Sequence, residues 1–324
     1  MSDTGGRRQA RSDAGADQLP RTPTQRLSGR LDIWAGGLST GRRTLVAGIV
    51  LPIVCLMVVL GTLAVAPPVE HSTIVFATLV ALAAGLSSTS IGVYGGVLVP
   101  GLLLLSIDAR FAAAVSLFLQ VLVIPLAAGS HYRMGNFSRS VAMPLLIGGV
   151  IGAFVGPFFA ALLPKDLIAR FVAALIVVVG LVVLATLRLS GLGAVRADDD
   201  VPRGRVASIG LAAGFSSGIS GAGWGPIGVK LLILARIDPR HAIGSSLFAR
   251  MFMAAAAVVG FLIAQTAFHN VTPNWWIVVP LFVGSIAPMI PGAMLVSRLG
   301  RERATVVITL LSILLAVPTL IWGH

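Results

Sequence analysis

The chain has 324 residues, 56% of them hydrophobic and only 11% charged, with a mean hydropathy of +0.94 and a formal net charge of +12. That balance excludes a water-soluble domain, because several apolar runs are long enough to cross a bilayer. It also excludes nucleic acid as the reason for the positive charge: the basic residues sit in short connections and in the N-terminal tail, where orientation in a membrane requires them.

Residues 1–43 are polar, rich in Gly and Arg and nearly free of apolar periodicity, the composition of a disordered basic cytoplasmic tail. Residues 44–66 are the first apolar run. Arg42-Arg43 and Ala64-Val-Ala66 imitate an export signal, but 23 apolar residues exceed a signal core and Pro67 follows, so a retained N-terminal transmembrane helix is expected. The single Cys55 lies in this run and can form no internal disulfide. A long Gly/Ser-rich stretch follows over 72–107, then clearer spans at 111–130, 141–163 and 167–188. A polar cytoplasmic linker, 189–205, carries Asp198-Asp-Asp200 and several arginines. The pattern then restarts with 206–236 and spans at 241–267, 274–297 and 303–322.

The restart is a repeat, 72–188 against 206–322. Gly85-Leu-Ser-Ser-Thr-Ser-Ile-Gly-Val-Tyr-Gly-Gly96 returns as Gly214-Phe-Ser-Ser-Gly-Ile-Ser-Gly-Ala-Gly-Trp-Gly225. Ile107-Asp-Ala-Arg110 matches Ile237-Asp-Pro-Arg240, and Ser116-Leu-Phe-Leu-Gln120 matches Ser246-Leu-Phe-Ala-Arg250. Glycines this dense are expected to break a membrane helix, and the freed backbone groups survive only in protein or beside a watery cavity. Matched breaks in two halves of a chain point to a transporter's binding site. Counting Lys and Arg decides the path. If each Gly/Ser stretch is a re-entrant hairpin of two short helices, the tail, Arg133, Arg139, the linker, Arg236, Arg240, Arg298, Arg301 and Arg303 all face the cytoplasm. Only Arg110 and Lys165 then lie outside. Each repeat makes three full crossings plus a hairpin, so the halves are inverted. The expected fold is an all-α integral membrane protein with one extra N-terminal helix and a cytoplasmic N-terminus.

Chemistry inside the spans is sparse. All twelve acidic residues lie outside the apolar runs, and no His/Cys cluster has metal spacing, which weighs against cation transport and an intramembrane metalloenzyme; no metal, cofactor or catalytic residue is expected. Two cations, Lys230 and Arg250, fall well inside apolar runs rather than within a turn of their outer ends, and an intramembrane charge is by default a functional residue. Lys230 is close enough to Arg236 to snorkel to the inner surface. Unpaired N–H groups at a half-helix start favour an anion, and Ser87, Ser88, Ser216 and Ser217 add hydroxyls. Close helix packing by small residues is the competing reading of the Gly/Ser phrases, and it accounts well for Gly148 and Gly156. The candidate substrate site therefore comprises those serines, the phrase residues Gly92, Tyr94, Gly95, Gly96, Gly221, Gly223, Trp224 and Gly225, and Ser116, Gln120, Lys230, Ser246 and Arg250. Asp108 and Asp238 read as N-caps of the following helices.

The doubled Gly/Ser phrase, each followed by an apolar run, an Asp-bearing turn and Ala-x-x-Ser-Leu-like segments, resembles the TauE/SafE family of sulfite exporters, also described as toluene-sulfonate uptake permeases. His131-Tyr-Arg-Met-Gly-Asn136 resembles a further family segment, whose counterpart near Phe268-His-Asn270 is degenerate. The resemblance covers residues 72–322 and implies a bacterial inner-membrane carrier of a sulfur-containing or related organic anion. Tyr94 and Trp224 depart from the family's smaller residues, which makes a larger or aromatic anion an open alternative to sulfite. A small anion and membrane lipid are the expected partners, with nucleic acid excluded and a homo-oligomer left open. A membrane-embedded sensor or assembly protein on the same fold is the main competing reading, and an intramembrane enzyme a weaker one because the interior serines lack a buried base.

Overall fold

The computed structural model describes residues 40–91, 93–133, 135–187, 202–222, 224–268, 275–288 and 301–323. Most of the N-terminal tail, the greater part of the linker, Gly92, Gly223, residues 269–274 and 289–300 lie outside the described residues. The chain divides into two units, 1–50 and 51–324. The described part of the first unit begins helix α1 (Thr40–Val65), and the second unit holds the rest of the fold.

Every described element is helical. α1 is followed by α2 (His71–Ile91), α3 (Gly95–Leu104), α4 (Ala109–Arg133), α5 (Arg139–Leu162) and α6 (Lys165–Leu187), then by α7 (Arg203–Ser220), α8 (Trp224–Leu234), α9 (Pro239–Phe268), α10 (Trp275–Ile286) and α11 (Arg301–Trp322). Among the described residues five helices have stretches long and apolar enough to cross a membrane, within α2, α5, α6, α9 and α11. Ile147, Ile151, Val178, Leu181, Leu262, Val307 and Leu314 are all exposed on outer faces, while Ser116, Gln120, Ser245, Arg250 and Thr319 are buried. Apolar residues outside and polar ones within is the distribution a bilayer solvent selects.

The packing is reciprocal between the two runs of five helices. α5 packs on α7 and α2 on α10; α3 meets α11 and α8 meets α6; α4 packs on α9 and α6 on α11. Each of these contacts has its counterpart with the two runs exchanged, or links corresponding helices to each other, whereas the extensive α5–α9 contact has only a slight counterpart between α4 and α10.

The α5–α7 contact is a glycine lock. Gly148, Gly152 and Gly156 recur every four residues on α5, as do Gly210, Gly214 and Gly218 on α7. A Cβ at Gly148 would lie 2.0 Å from the Ala207 carbonyl oxygen, one at Gly152 2.2 Å from that of Leu211, and one at Gly214 2.2 Å from that of Gly149. Backbones approach this closely only where both helices carry small residues. The equivalent face of α2 has Ala77, Ala81 and Gly85, all buried, and only Gly85 touches α10 backbone as tightly.

The turns after α3 and α8 are also duplicated. Ser106 and Arg236 are left-handed (φ 57° and 69°). Ile107 N–H donates to Leu102 O and Ser106 N–H to Leu103 O, and Ile237 and Arg236 repeat the pattern with Leu232 and Ile233. Both are Schellman C-caps. Asp108 and Asp238 then accept from the Arg110 and Arg240 backbone N–H groups at 2.9 and 2.7 Å, so each starts its helix as an N-cap.

Candidate functional site

Helix propagation decides where the Gly/Ser phrases break. α2 continues through Gly85–Ile91 and α7 through Gly214–Ser220, so the early glycines of each phrase do not interrupt the backbone. They are consumed by packing: a Cβ at Gly85 would meet the Ser285 carbonyl oxygen at 2.3 Å, and one at Gly218 the Ala153 carbonyl oxygen at 2.5 Å. The described helices end at Ile91 and Ser220 and resume at Gly95 and Trp224, so each break lies between those ends. The arms on either side are unequal. α2 and α7 have 21 and 18 residues, α3 and α8 only 10 and 11, so the arms entering the breaks are not the short helices that the composition suggested.

The two breaks touch. A Cβ at Gly95, just after the first break, would lie 2.0 Å from the Gly221 carbonyl oxygen in the second. Gly221 itself is left-handed (φ 64°) and closes α7 by donating its N–H to Ser217 O at 2.7 Å. A Cβ there would also strike the Ala113 backbone at 2.7 Å, so two independent constraints require glycine.

The buried carbonyl of Gly221, at the end of α7, is then satisfied from α4. Ser116 Oγ donates to it at 2.9 Å and Gln120 Nε2 at 3.0 Å. The second Gln120 N–H donates to Ser116 Oγ at 3.1 Å. On the other side of the amide, Arg250 of α9 donates Nε and Nη2 to Gln120 Oε1 at 2.9 and 2.5 Å. The guanidinium therefore sets which way the amide points, because Oε1 must face it and Nε2 must face Gly221. Ser116, Gln120 and Arg250 are 0%, 2% and 6% exposed, so this relay is dry and its hydrogen bonds are correspondingly costly to lose. Gln120 and Arg250 are also equivalent positions of the repeat, so α4 and α9 meet through matched residues.

The first break is held without charge. Ser87 Oγ lies 2.8 Å from Ala84 O and 2.5 Å from Val93 O, tying the end of α2 to the chain beyond it. Tyr94 is buried, its hydroxyl 2.6 Å from Ser285 Oγ. Because Ser285 gives its own proton to Leu281 O, Tyr94 is the donor in that pair.

A cavity of about 30 Å³ lies between the breaks and the α6–α11 pair. Val93 and Gly96 line it from the first break, Ser220 and Ala222 from the second, and Val179 and Ser312 from the two helices. It has room for a water or two but not for an organic anion. Arg250, Gln120 and Ser116 do not line it; they reach it through Gly221, whose neighbours do.

The remaining predicted residues divide clearly. Ser217 and Ser246 are buried; Ser246 Oγ returns to Ile243 O at 2.9 Å on its own helix. Ser216 Oγ is buried without a hydrogen-bond partner. Ser88 is half-buried. Gly92 and Gly223 lie outside the described residues, and although Trp224, Gly225 and Lys230 belong to α8, their side-chain surroundings do too. Sequence reasoning missed Ser285, Thr309 and Ser312. The last two had a signal: Thr309, Ser312, Ala316 and Thr319 recur at helical spacing on one buried face of an otherwise apolar helix. The His131–Asn136 segment is a C-cap. Gly135 is left-handed (φ 73°), and Asn136 N–H donates to His131 O at 3.0 Å.

Residues 77–319 match the family described as sulfite exporter TauE/SafE. The chain is 31% identical over 252 residues to "Probable membrane transporter protein YtnM" of Bacillus subtilis (strain 168), covering 76% of this chain and 82% of that protein. It is 28% identical over 139 residues to "Probable membrane transporter protein YdhB" of the same organism, covering 42% and 56%. No solved structure matches.

Proposed function

The chain is a membrane transporter of the TauE/SafE sulfite exporter family, and we propose that it carries a small sulfur-containing or organic anion by alternating access at its two helix breaks. The observation that carries this reading is the meeting of Gly95 with Gly221, with Arg250 bound to the same carbonyl through Gln120. The junction belongs to both repeats, so a movement of one against the other must open or close it. A cavity of about 30 Å³ cannot pass an anion without such movement.

Several observations support the re-entrant, inverted arrangement. α3 and α8 run about 15 and 16 Å, too short to cross a ~30 Å hydrocarbon core alone, which supports a return arm after each break; the 21 and 18 residues of α2 and α7 then require those arms to tilt or to begin outside the core. Residues assigned to one face also meet one another. Arg110 Nη2 donates to Leu163 O at 2.8 Å near Lys165, both ends assigned outside, and Ser138 N–H donates to Ser245 Oγ at 3.0 Å between ends assigned inside. The N-terminus is then cytoplasmic, in a bacterial inner membrane. Arg250 is the twelfth residue of α9, about 17 Å along it and near mid-depth.

In this mechanism Arg250 supplies the charge for the anion, through a rotation of Gln120 away from the Gly221 carbonyl or by direct contact once the repeats move apart. Flux of sulfite, sulfoacetate, taurine and an aromatic sulfonate into proteoliposomes tests the proposal. Uptake or efflux of at least one is expected in the wild type and is strongly reduced in Arg250→Gln. Binding without flux would instead favour a sensor on the same fold. Cysteine accessibility tests the topology: position 110 is expected outside and position 133 in the cytoplasm, and the reversed assignment would overturn the hairpins.

A further inference from the structure

A second basic feature lies away from the breaks. At the starts of α5 and α7 an open groove of about 780 Å³ is lined by Arg139, Ser140, Met143, Pro144, Ile147 and, from α7, Arg203 with Ala207. The groove has a direction. Arg139, Met143 and Ile147 follow one another at four-residue spacing down α5, and Arg203, Ala207 and Leu211 do the same down α7. Residues so spaced share one helix face. Each stripe therefore has a guanidinium at its head and apolar side chains below. Met143, Ile147 and Leu211 are exposed despite being apolar, so the wall continues along a surface open to its surroundings.

Both guanidiniums are exposed. Neither helix has an acidic residue in its first turn or a side-chain cap. The glycine lock immediately below holds the two helices backbone to backbone, so the two arginine positions are fixed relative to each other. A rigid pair of cations above an apolar slope complements a molecule that carries negative charge at one end and hydrocarbon at the other. A free inorganic anion would use the arginines and leave the slope unexplained.

We infer that this groove binds an acidic phospholipid, its phosphate between Arg139 and Arg203 and one acyl chain along Met143, Ile147 and Leu211. The site is separate from the helix breaks, and its occupancy does not depend on which anion is carried. Because it clasps α5 of one repeat to α7 of the other, a bound lipid stabilises the fold at the same seam the glycines close.

Native mass spectrometry of the full-length protein, titrated with phosphatidylglycerol, phosphatidylcholine of the same chains or inorganic phosphate, tests the inference. Wild type should retain phosphatidylglycerol in preference to phosphatidylcholine, and millimolar phosphate should not displace it. R139Q/R203Q should bind phosphatidylglycerol about thirtyfold more weakly, and either single variant about fivefold, whereas R303Q, which changes an exposed arginine elsewhere, should match wild type. Unchanged thermal unfolding in phosphatidylcholine separates lost binding from lost folding, and if the double variant does not fold, the single variants carry the test. Equal retention by R139Q/R203Q and R303Q, equal binding of the two lipids, or displacement by phosphate would each overturn it.

Discussion

The two breaks are built from the same phrase and held by different chemistry. At the first, hydroxyls do the work: Ser87 bridges Ala84 and Val93, and Tyr94 donates to Ser285. At the second, the Gly221 carbonyl takes two donors from α4, and the second of them is oriented by a buried guanidinium. The junction therefore has one neutral side and one charged side. The residue that makes the difference is the equivalent pair Gln120 and Arg250, which now bind each other. A symmetric arginine pair would place two like charges in a dry site, and a symmetric glutamine pair would leave no charge for an anion.

The sharpest way to break the comparison is at the contact itself. Gly95→Ala puts a methyl group into the Gly221 carbonyl and should cost about 3 kcal/mol or more, read as lost thermal stability or lost folded yield. Gly129→Ala, where a Cβ meets nothing within 4 Å, should be neutral or gain up to about 1 kcal/mol. Next in size is the charged side. Arg250→Gln should leave the protein folded while apparent anion affinity falls about 10- to 100-fold, as for loss of a charge-assisted hydrogen bond; unchanged flux would dismiss the charged side as a recognition element. The neutral side should tolerate more. Tyr94→Phe removes one hydroxyl bond and should cost about 1 kcal/mol of stability with transport retained, because Ser285 keeps its bond to Leu281. Smallest and most symmetric are the caps: Asp108→Ala and Asp238→Ala should each cost about 1 kcal/mol in unfolding assays, and a clear difference between them would show that the two turns are no longer equivalent.

Much of this was legible before any coordinates. The N-caps at Asp108 and Asp238 and the packing glycines Gly148 and Gly156 follow from residue type and spacing, since each acts within a turn or two of its own helix, and Gln120 and Arg250 stand out as polar groups in apolar runs. The positions of the breaks were less legible. Gly85, Gly214 and Gly218 look like helix breakers, yet each lies inside an intact helix, because a neighbouring backbone occupies the space a side chain would take. A glycine that breaks a helix and one that admits a neighbour are identical in sequence.

Composition, charge placement and hydropathy determined by themselves that this is an all-helical membrane chain, since hydrophobicity, helix ends and lysine and arginine bias are local properties that a bilayer reads directly. Only the tertiary structure decided that the breaks meet at Gly95 and Gly221, that Tyr94 is committed to Ser285, and that Arg250 reaches the second break through Gln120. Those are contacts between residues a hundred or more positions apart, and they depend on how closely whole helices approach, which no single helix can specify.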